Sequence, residues 1–448
     1  MKSHFGCLAV VVVVAAVVFS AGKAHAIPAF ARLYKTECNT CHTIFPDRKP
    51  FGDAFRKNSY VWPGKLPEQM PEEIQYLPKE GGERAKPWLT AIPDQVPISL
   101  WVNHDIILNK EKTPQFDMDG QTELEMFTGG SFRGKAGWWA EYNFVPDHDI
   151  GEVYTQLRHV IGSPVNVKVG KFKPKLSLWK DNDSSTISSY GYNEMVVGSN
   201  PLVQLPVVDP VTGVTLVTSI GNPFMITREQ GAIEVNSLIG NRLFAAYGIT
   251  TPPEKDRNGP DMYGHLSVRI GGTDFAGSEP EISLTRESIW DNLALTFGTF
   301  GYFGSSNNFF FDETSNKNIR FKNDFFRLGL ESEVLYKNLR FRLNSIWGED
   351  KDPQGPAGTG QKEKSLWVMA QGQYIFMQNI LAAMRYEHQD IEHEGITRRY
   401  IPTVVYAPWQ NVKAGLEYVH EIRPRVFAPG APHEYITREY TLRLTYAY

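Results

Sequence analysis

From about Ile98 to the C-terminus, apolar and polar residues alternate with a period of two. The last stretch is the clearest: Tyr440, Leu442, Leu444, Tyr446 and Tyr448 share one parity, and Thr441, Arg443 and Thr445 the other. Phe326, Leu328, Leu330, Val334 and Tyr336 alternate in the same way with Arg327, Glu331 and Glu333. Beyond a Lys337-Asn338 turn, Leu339, Phe341, Leu343 and Trp347 oppose Arg340, Arg342 and Asn344. Val368, Ala370, Tyr374 and Phe376 then face away from Gln371 and Gln373. Past Gln378-Asn379, Ile380, Ala382, Met384 and Tyr386 face away from Arg385 and Glu387. Successive side chains of a strand point to opposite faces, so each segment is apolar on one side and charged on the other. Long strands of this kind with aromatic ends mark a transmembrane β-barrel, lipid outside and water inside. A soluble sandwich would have shorter strands and a propeller an internal repeat, and no repeat is visible. The fold class is therefore all-β, with about sixteen antiparallel strands over 98–448, since an even number closes a bacterial barrel. Between Asn222 and Phe303 the alternation of short turns and long loops fails. Residues 174–222, after the strand Val165 to Phe172, read as a long loop or a lumen-folded constriction.

Ahead of the barrel the pattern changes twice. Lys2, the unbroken apolar run from Leu8 to Phe19 and the Ala24-His25-Ala26 site make residues 1–26 a cleaved export signal. The run is too short to span a bilayer as a helix. Residues 27–62 are aromatic, and Phe51, Ala54 and Phe55 have the spacing of one short helical face. Residues 63–97 carry Pro63, Pro67, Pro71, Pro78, Pro87, Pro93 and Pro97 and read as an extended linker.

The cysteines supply the chemistry. Cys7 leaves with the signal, so the mature chain keeps only Cys38 and Cys41 and has no disulfide framework. They stand in Cys38-Asn39-Thr40-Cys41-His42, the attachment pattern of c-type haem. Two thiols three residues apart can form thioethers to the two vinyl groups of one haem, and His42 then presents its imidazole to the iron as proximal ligand. A redox disulfide would belong in a βαβ domain, and none is visible. Half a zinc site would want more Cys or His nearby, and residues 43–95 contain neither. The distal ligand is open. Met70 is the sulfur candidate of the linker, and Met/His ligation would raise the potential. His104, His159 or His265 of the wall, or a five-coordinate site, are the other readings.

With 448 residues, 21% charged, and a mean hydropathy of −0.33, the chain cannot be a helical transporter. The formal net charge of −4, falling to −6 once Lys2 and Lys23 leave, offers no basic field for nucleic acid. Glu387, His388, Asp390, Glu392, His393 and Glu394 crowd a loop on the expected extracellular side, donors that suit Fe(II) or Mn(II) as well as plain solvation.

Phe30-Ala31-Arg32, Cys38-Asn39-Thr40-Cys41-His42, Phe45-Pro46, Pro50-Phe51-Gly52-Asp53-Ala54-Phe55 and Tyr60 together resemble the haem segment of the fused monohaem cytochrome–porins of iron-oxidising and metal-cycling bacteria. Val169-Gly170-Lys171-Phe172-Lys173-Pro174 is similar to a strand-to-loop segment of phosphate-type porins. The chain departs from the first pattern at Asp47-Arg48-Lys49 and at Ser59, where glycine is expected before Tyr60. The resemblance implies an outer-membrane protein that passes electrons between extracellular iron and the periplasm through one covalent haem c. Its implied partners are a periplasmic c-type cytochrome or other soluble carrier, and the lipid around the barrel. Iron(II) oxidation is the first expectation. Electron export to metals, or a solute or anion porin whose haem segment is a plug or sensor, are the alternatives.

Overall fold

The computed structural model describes Phe30, Tyr34, Thr36, residues 38–63 and residues 98–447, apart from positions 110, 112–114, 118–121, 133, 147, 179–185, 194–196, 198–203, 209–214, 220–221, 223, 252–258, 279–288, 313–316, 354–361, 378, 393, 410 and 425–433. The expected export signal, the proline-rich linker with Met70, and His393 lie outside the described residues.

The strands are β1 (Ile98–Asn109), β2 (Phe116–Asp117), β3 (Thr122–Phe132), β4 (Ala136–Val145), β5 (Asp149–Leu157), β6 (Val165–Phe172), β7 (Gln204–Val208) and β8 (Thr215–Ser219). They continue with β9 (Gln230–Ile239), β10 (Leu243–Thr251), β11 (Asp261–Ile270), β12 (Leu293–Asp312), β13 (Lys317–Tyr336) and β14 (Leu339–Asp350). The last are β15 (Glu363–Phe376), β16 (Ile380–Ile391), β17 (Gly395–Trp409), β18 (Val412–Pro424) and β19 (Glu434–Ala447). β7 and β8 pair only with each other, and β2 is a two-residue addition beside β1. The other sixteen form one antiparallel ring in chain order, with β6 passing directly to β9. It closes where β1 sets Trp101 opposite Ala447 of β19 and Ile98 opposite Thr128 of β3.

Closure satisfies every edge, the condition for strands to cross a bilayer. Among the described residues no helix is long and apolar enough to do so. The side-chain parity follows the sequence. Leu339, Phe341 and Leu343 of β14 face outward and are exposed, while Arg340, Arg342 and Asn344 between them are buried in the lumen. Exposed aromatics gather at both rims: Tyr374, Phe376, Tyr406 and Tyr446 at one, Phe303, Trp347 and Tyr435 at the other. The first rim carries the tight turns at Gly240–Arg242, Lys337–Asn338 and 377–379, together with the start of β1 and the end of β19. Short turns face the periplasm in outer-membrane barrels, so this is the periplasmic end. One connection there is long, running from Gly271 to Asn292 and ending in the helix Ile289–Asn292. That is why the turn–loop alternation fails between Asn222 and Phe303.

The lumen is filled from both directions. Between β6 and β9 the chain folds inward, and its described parts bond to the wall. Ile187 and Ser188 donate backbone N–H groups to the Glu417 carboxylate at 2.7 and 2.6 Å. Gly191 donates to Glu387 at 2.9 Å, and Leu178 to Glu331 at 2.6 Å. Leu176, Tyr190, Tyr192, Phe224 and Ile226 of this segment join Tyr263, Tyr302, Phe325 and Trp367 of the wall in a buried apolar cluster. Residues 38–63 occupy the other side of the lumen.

Leu330 of β13 faces lipid midway between Phe326 and Tyr336, with 68% exposure. Leu330→Arg puts a charge in hydrocarbon and is expected to cost about 2–4 kcal/mol of barrel stability. Reversible denaturant unfolding in lipid vesicles measures it, and an unchanged midpoint would contradict the lipid-facing assignment.

Candidate functional site

The residues 38–63 fold as two short helices joined by a tight loop. Cys38–Cys41 makes one turn, with the His42 N–H donating to the Cys38 carbonyl at 2.9 Å. The chain then turns back through Phe45-Pro46. The Asp47 N–H donates to the Ile44 carbonyl, and the Lys49 N–H to the Cys41 carbonyl, at 2.9 and 2.8 Å. Pro50 opens the second helix, Pro50–Lys57, from its first position, where a missing N–H costs nothing. The two helices cross so closely at Gly52 that a Cβ there would lie 2.3 Å from the Cys41 carbonyl oxygen. Glycine at that position is a packing requirement.

The face Phe51, Ala54, Phe55 is helical as its spacing predicts, but it does not line the cavity beside His42. Ala54 and Phe55 are buried, and the Phe55 ring stands edge-on to Phe30, Tyr34 and Tyr60. Phe51 packs on Trp62. The segment thus carries a small aromatic core of its own. Tyr60 connects that core to the wall, stacking on Trp139 and sharing a 2.6 Å hydroxyl contact with Tyr154. Ser59 and Tyr60 both have a φ of 59°, the left-handed region that favours glycine, which is why glycine is the expected residue at 59. The wall admits this turn through Gly137, whose Cβ would sit 2.3 Å from the Ser59 carbonyl oxygen.

The anchor that sequence reasoning missed is Asp47. It is fully buried, and its carboxylate accepts from Arg340 and Arg342 of β14 and from Gln373 of β15. Arg340 also donates to the Arg48 carbonyl at 2.7 Å, and Arg342 to Glu333 at 3.0 Å. Burial pushes the Asp47 carboxyl up, but the two guanidinium groups outweigh it and hold it below the usual carboxylate range. The signal is present in two halves: lumen-facing Arg340 and Arg342, and an acidic residue directly after Phe45-Pro46.

Beside this anchor lies a cavity of about 960 Å³ at the periplasmic end, bordered by Cys38, His42 and the turns of the rim. Its apolar lining includes Ile44, Phe45, Leu335, Ile375 and Trp409. Its charged lining is Lys49, Lys337, Arg340 and Lys413, with no carboxylate among the described residues. The His42 Nδ1 sits 3.0 Å from the Pro46 carbonyl. A carbonyl only accepts, so Nδ1 carries the proton and Nε2 keeps its lone pair. Burial, then Cys38, pushes the Cys41 thiol up to about 11, away from the thiolate that redox exchange uses.

The other candidate ligands are not at this cavity. His104 hydrogen-bonds Thr122 on the exposed outer face, His159 occupies an exposed periplasmic turn, and His265 is buried against Glu331 at 3.0 Å. The acidic loop is not assembled either. Glu387 and His388 lie within β16, and Glu387 faces the lumen against Arg385 and Arg399. Among the described residues no group of three such donors could hold a metal ion. A second, smaller cavity of about 250 Å³ begins on the other side of Pro46, lined by Glu123, Glu125, Glu141 and Glu229 with Lys173, Lys413 and Arg443.

A closed sixteen-strand ring with an apolar outer band and a charged lumen defines a porin-like barrel of the outer membrane. No family model and no curated protein matches the chain. Solved structures similar to it include an anion-selective porin from Comamonas acidovorans, with a TM-score of 0.49 at 10% identity, covering 79% of this chain and 99% of that one. They also include OmpT of Vibrio cholerae, with a TM-score of 0.46 at 10% identity over 79% and 97%. The outer membrane channel DcaP of Acinetobacter baumannii has a TM-score of 0.45 at 11% identity over 79% and 97%.

Asp47→Ala leaves Arg340 and Arg342 buried without their main acceptor and is expected to cost about 3–5 kcal/mol of docking. Hydrogen exchange should rise across residues 38–63 while the strands stay protected; unchanged exchange there would contradict the anchor. Because the docked Asp47 has a depressed pKa, its contribution is complete above the unfolded value of about 4 and fades only as pH falls through the docked value.

Proposed function

We propose that this protein passes electrons across the outer membrane between extracellular iron and a soluble periplasmic carrier, most directly as an Fe(II) oxidase. One haem c, attached at Cys38 and Cys41 with His42 as proximal ligand, is the redox group. The observation that carries this reading is the cavity beside Cys38 and His42, which suits haem on three counts. It has an apolar wall for the ring, lysines without competing carboxylates for two propionates, and an imidazole whose Nδ1 is held by the Pro46 carbonyl, so that Nε2 is the ring atom suited to meet iron. When bound, haem supplies a one-electron couple at that point.

The chain's own residues explain the rest. Asp47, Tyr60 and their wall partners hold the attachment helix against the periplasmic rim, where a periplasmic c-type cytochrome can approach. The 12 residues of β14 from the cavity to the far rim, at about 3.3 Å each and a tilt near 40°, cover roughly 25–30 Å. Iron that gives up its electron directly must therefore come into the lumen. The smaller cavity by Pro46 sets Glu123, Glu125 and Glu141 beside Lys173, Lys413 and Arg443, a lining of mixed charge on that side. A solute porin would use the same barrel, but a lumen occupied by residues 38–63 and by the inner segment favours electrons over solutes.

The test uses the full protein in vesicles that enclose an oxidised soluble c-type cytochrome. Fe(II) added outside should reduce the enclosed cytochrome without measurable solute conductance, and Cys38→Ser should abolish the reduction. Steady conductance of small anions with no reduction inside would support the solute-porin reading instead.

A further inference from the structure

The turn between β15 and β16 carries a residue that its local structure does not explain. Met377 has a φ of 50° and is 85% exposed. At the other exposed turns, the described residues with a left-handed backbone are His148, His159, Asn241 and Lys337, all polar. An asparagine or glycine would relieve the backbone at 377, and a polar side chain would suit the water. Methionine does neither, and a disfavoured conformation that persists points towards a task.

The position supplies one. Met377 borders the same cavity as Cys38 and His42, and among the described residues that lining holds no other thioether and no second imidazole. Methionine is unbranched, with three rotatable bonds and a soft sulfur, so it can reach from the rim into the cavity. We infer that the Met377 thioether is the distal ligand of the haem iron, opposite His42. This inference rests on the haem reading above. It replaces Met70 as the expected ligand and ties the 38–63 segment to the wall from a second side, since Met377 belongs to a barrel hairpin.

The test is the spectrum and midpoint potential of the full-length haem protein in detergent. Ferric protein should show the weak far-red band of thioether-to-iron charge transfer. Met377→Leu, which keeps the volume and removes the sulfur, should lose that band and lower the potential while covalent haem remains. Met377→His should also lose the band, with a potential below that of the parent, as His/His ligation requires. Met70→Leu should leave band and potential unchanged. A band that survives Met377→Leu, or a ferric parent with covalent haem and no such band, overturns the ligand assignment and leaves the haem reading intact. A parent without covalent haem overturns both.

Discussion

A carboxylate taken wholly out of water is costly unless its full charge is met, and Asp47 is met on the inner face of β14 and β15. Arg340 and Arg342 leave β14 on its inner face, Gln373 leaves β15 beside them, and Glu333 balances the second guanidinium. Two negative and two positive groups are thus closed into one neutral cluster at the junction of segment and wall. Such a cluster contributes little net stability, because desolvation offsets most of its attraction, but it penalises every other docking position heavily. It acts as a registry device. The site of the cavity, the approach of His42 to it and the proximity of both to the periplasmic rim all follow from where Asp47 is held.

The second constraint is volume. A ring of about sixteen strands normally leaves an aqueous channel. Here the inner segment brings Tyr190, Tyr192, Phe224 and Ile226 against wall aromatics, and wall glutamates accept from its backbone N–H groups. The upper lumen therefore contains a dry core, an arrangement suited to holding a segment rigidly. Rigidity favours electron transfer, in which geometry sets the rate, over diffusion of solutes. The larger cavity sits at one end of this stopper and the smaller, mixed-charge cavity at its flank, so the two meet near Pro46.

Much of the barrel is legible in the sequence because strand parity and lipid exposure act on every second residue. The faces of β13, β14, β15, β16 and β19 follow from alternation alone. The long connection from Gly271 to Asn292 is not legible, since its position at the short-turn end depends on closure of the ring rather than on local preference. The motif Cys38-Asn39-Thr40-Cys41-His42 is legible as five consecutive residues. Its clamp is not, because Asp47 meets arginines almost three hundred positions away, and neither half has a meaning without the other. The helical face of Phe51, Ala54 and Phe55 shows the limit of periodicity. It gives the buried side of the helix but not what lies against it, which is the segment's own aromatic core. The acidic residues around 387–394 are close in sequence, yet Glu387 faces the lumen from within β16 while Glu392 and Glu394 lie in the turn beyond its end, so the strand separates them.

The most direct measurement is the absorbance spectrum of purified, air-oxidised protein before and after addition of Fe(II), with His42→Ala alongside. An electron-transfer barrel with haem c at Cys38 and Cys41 predicts prompt appearance of reduced c-type bands in the parent and their absence or marked change in the variant. A parent protein with no c-type bands, even after dithionite, would contradict the account and leave only a porin-like barrel with a filled lumen.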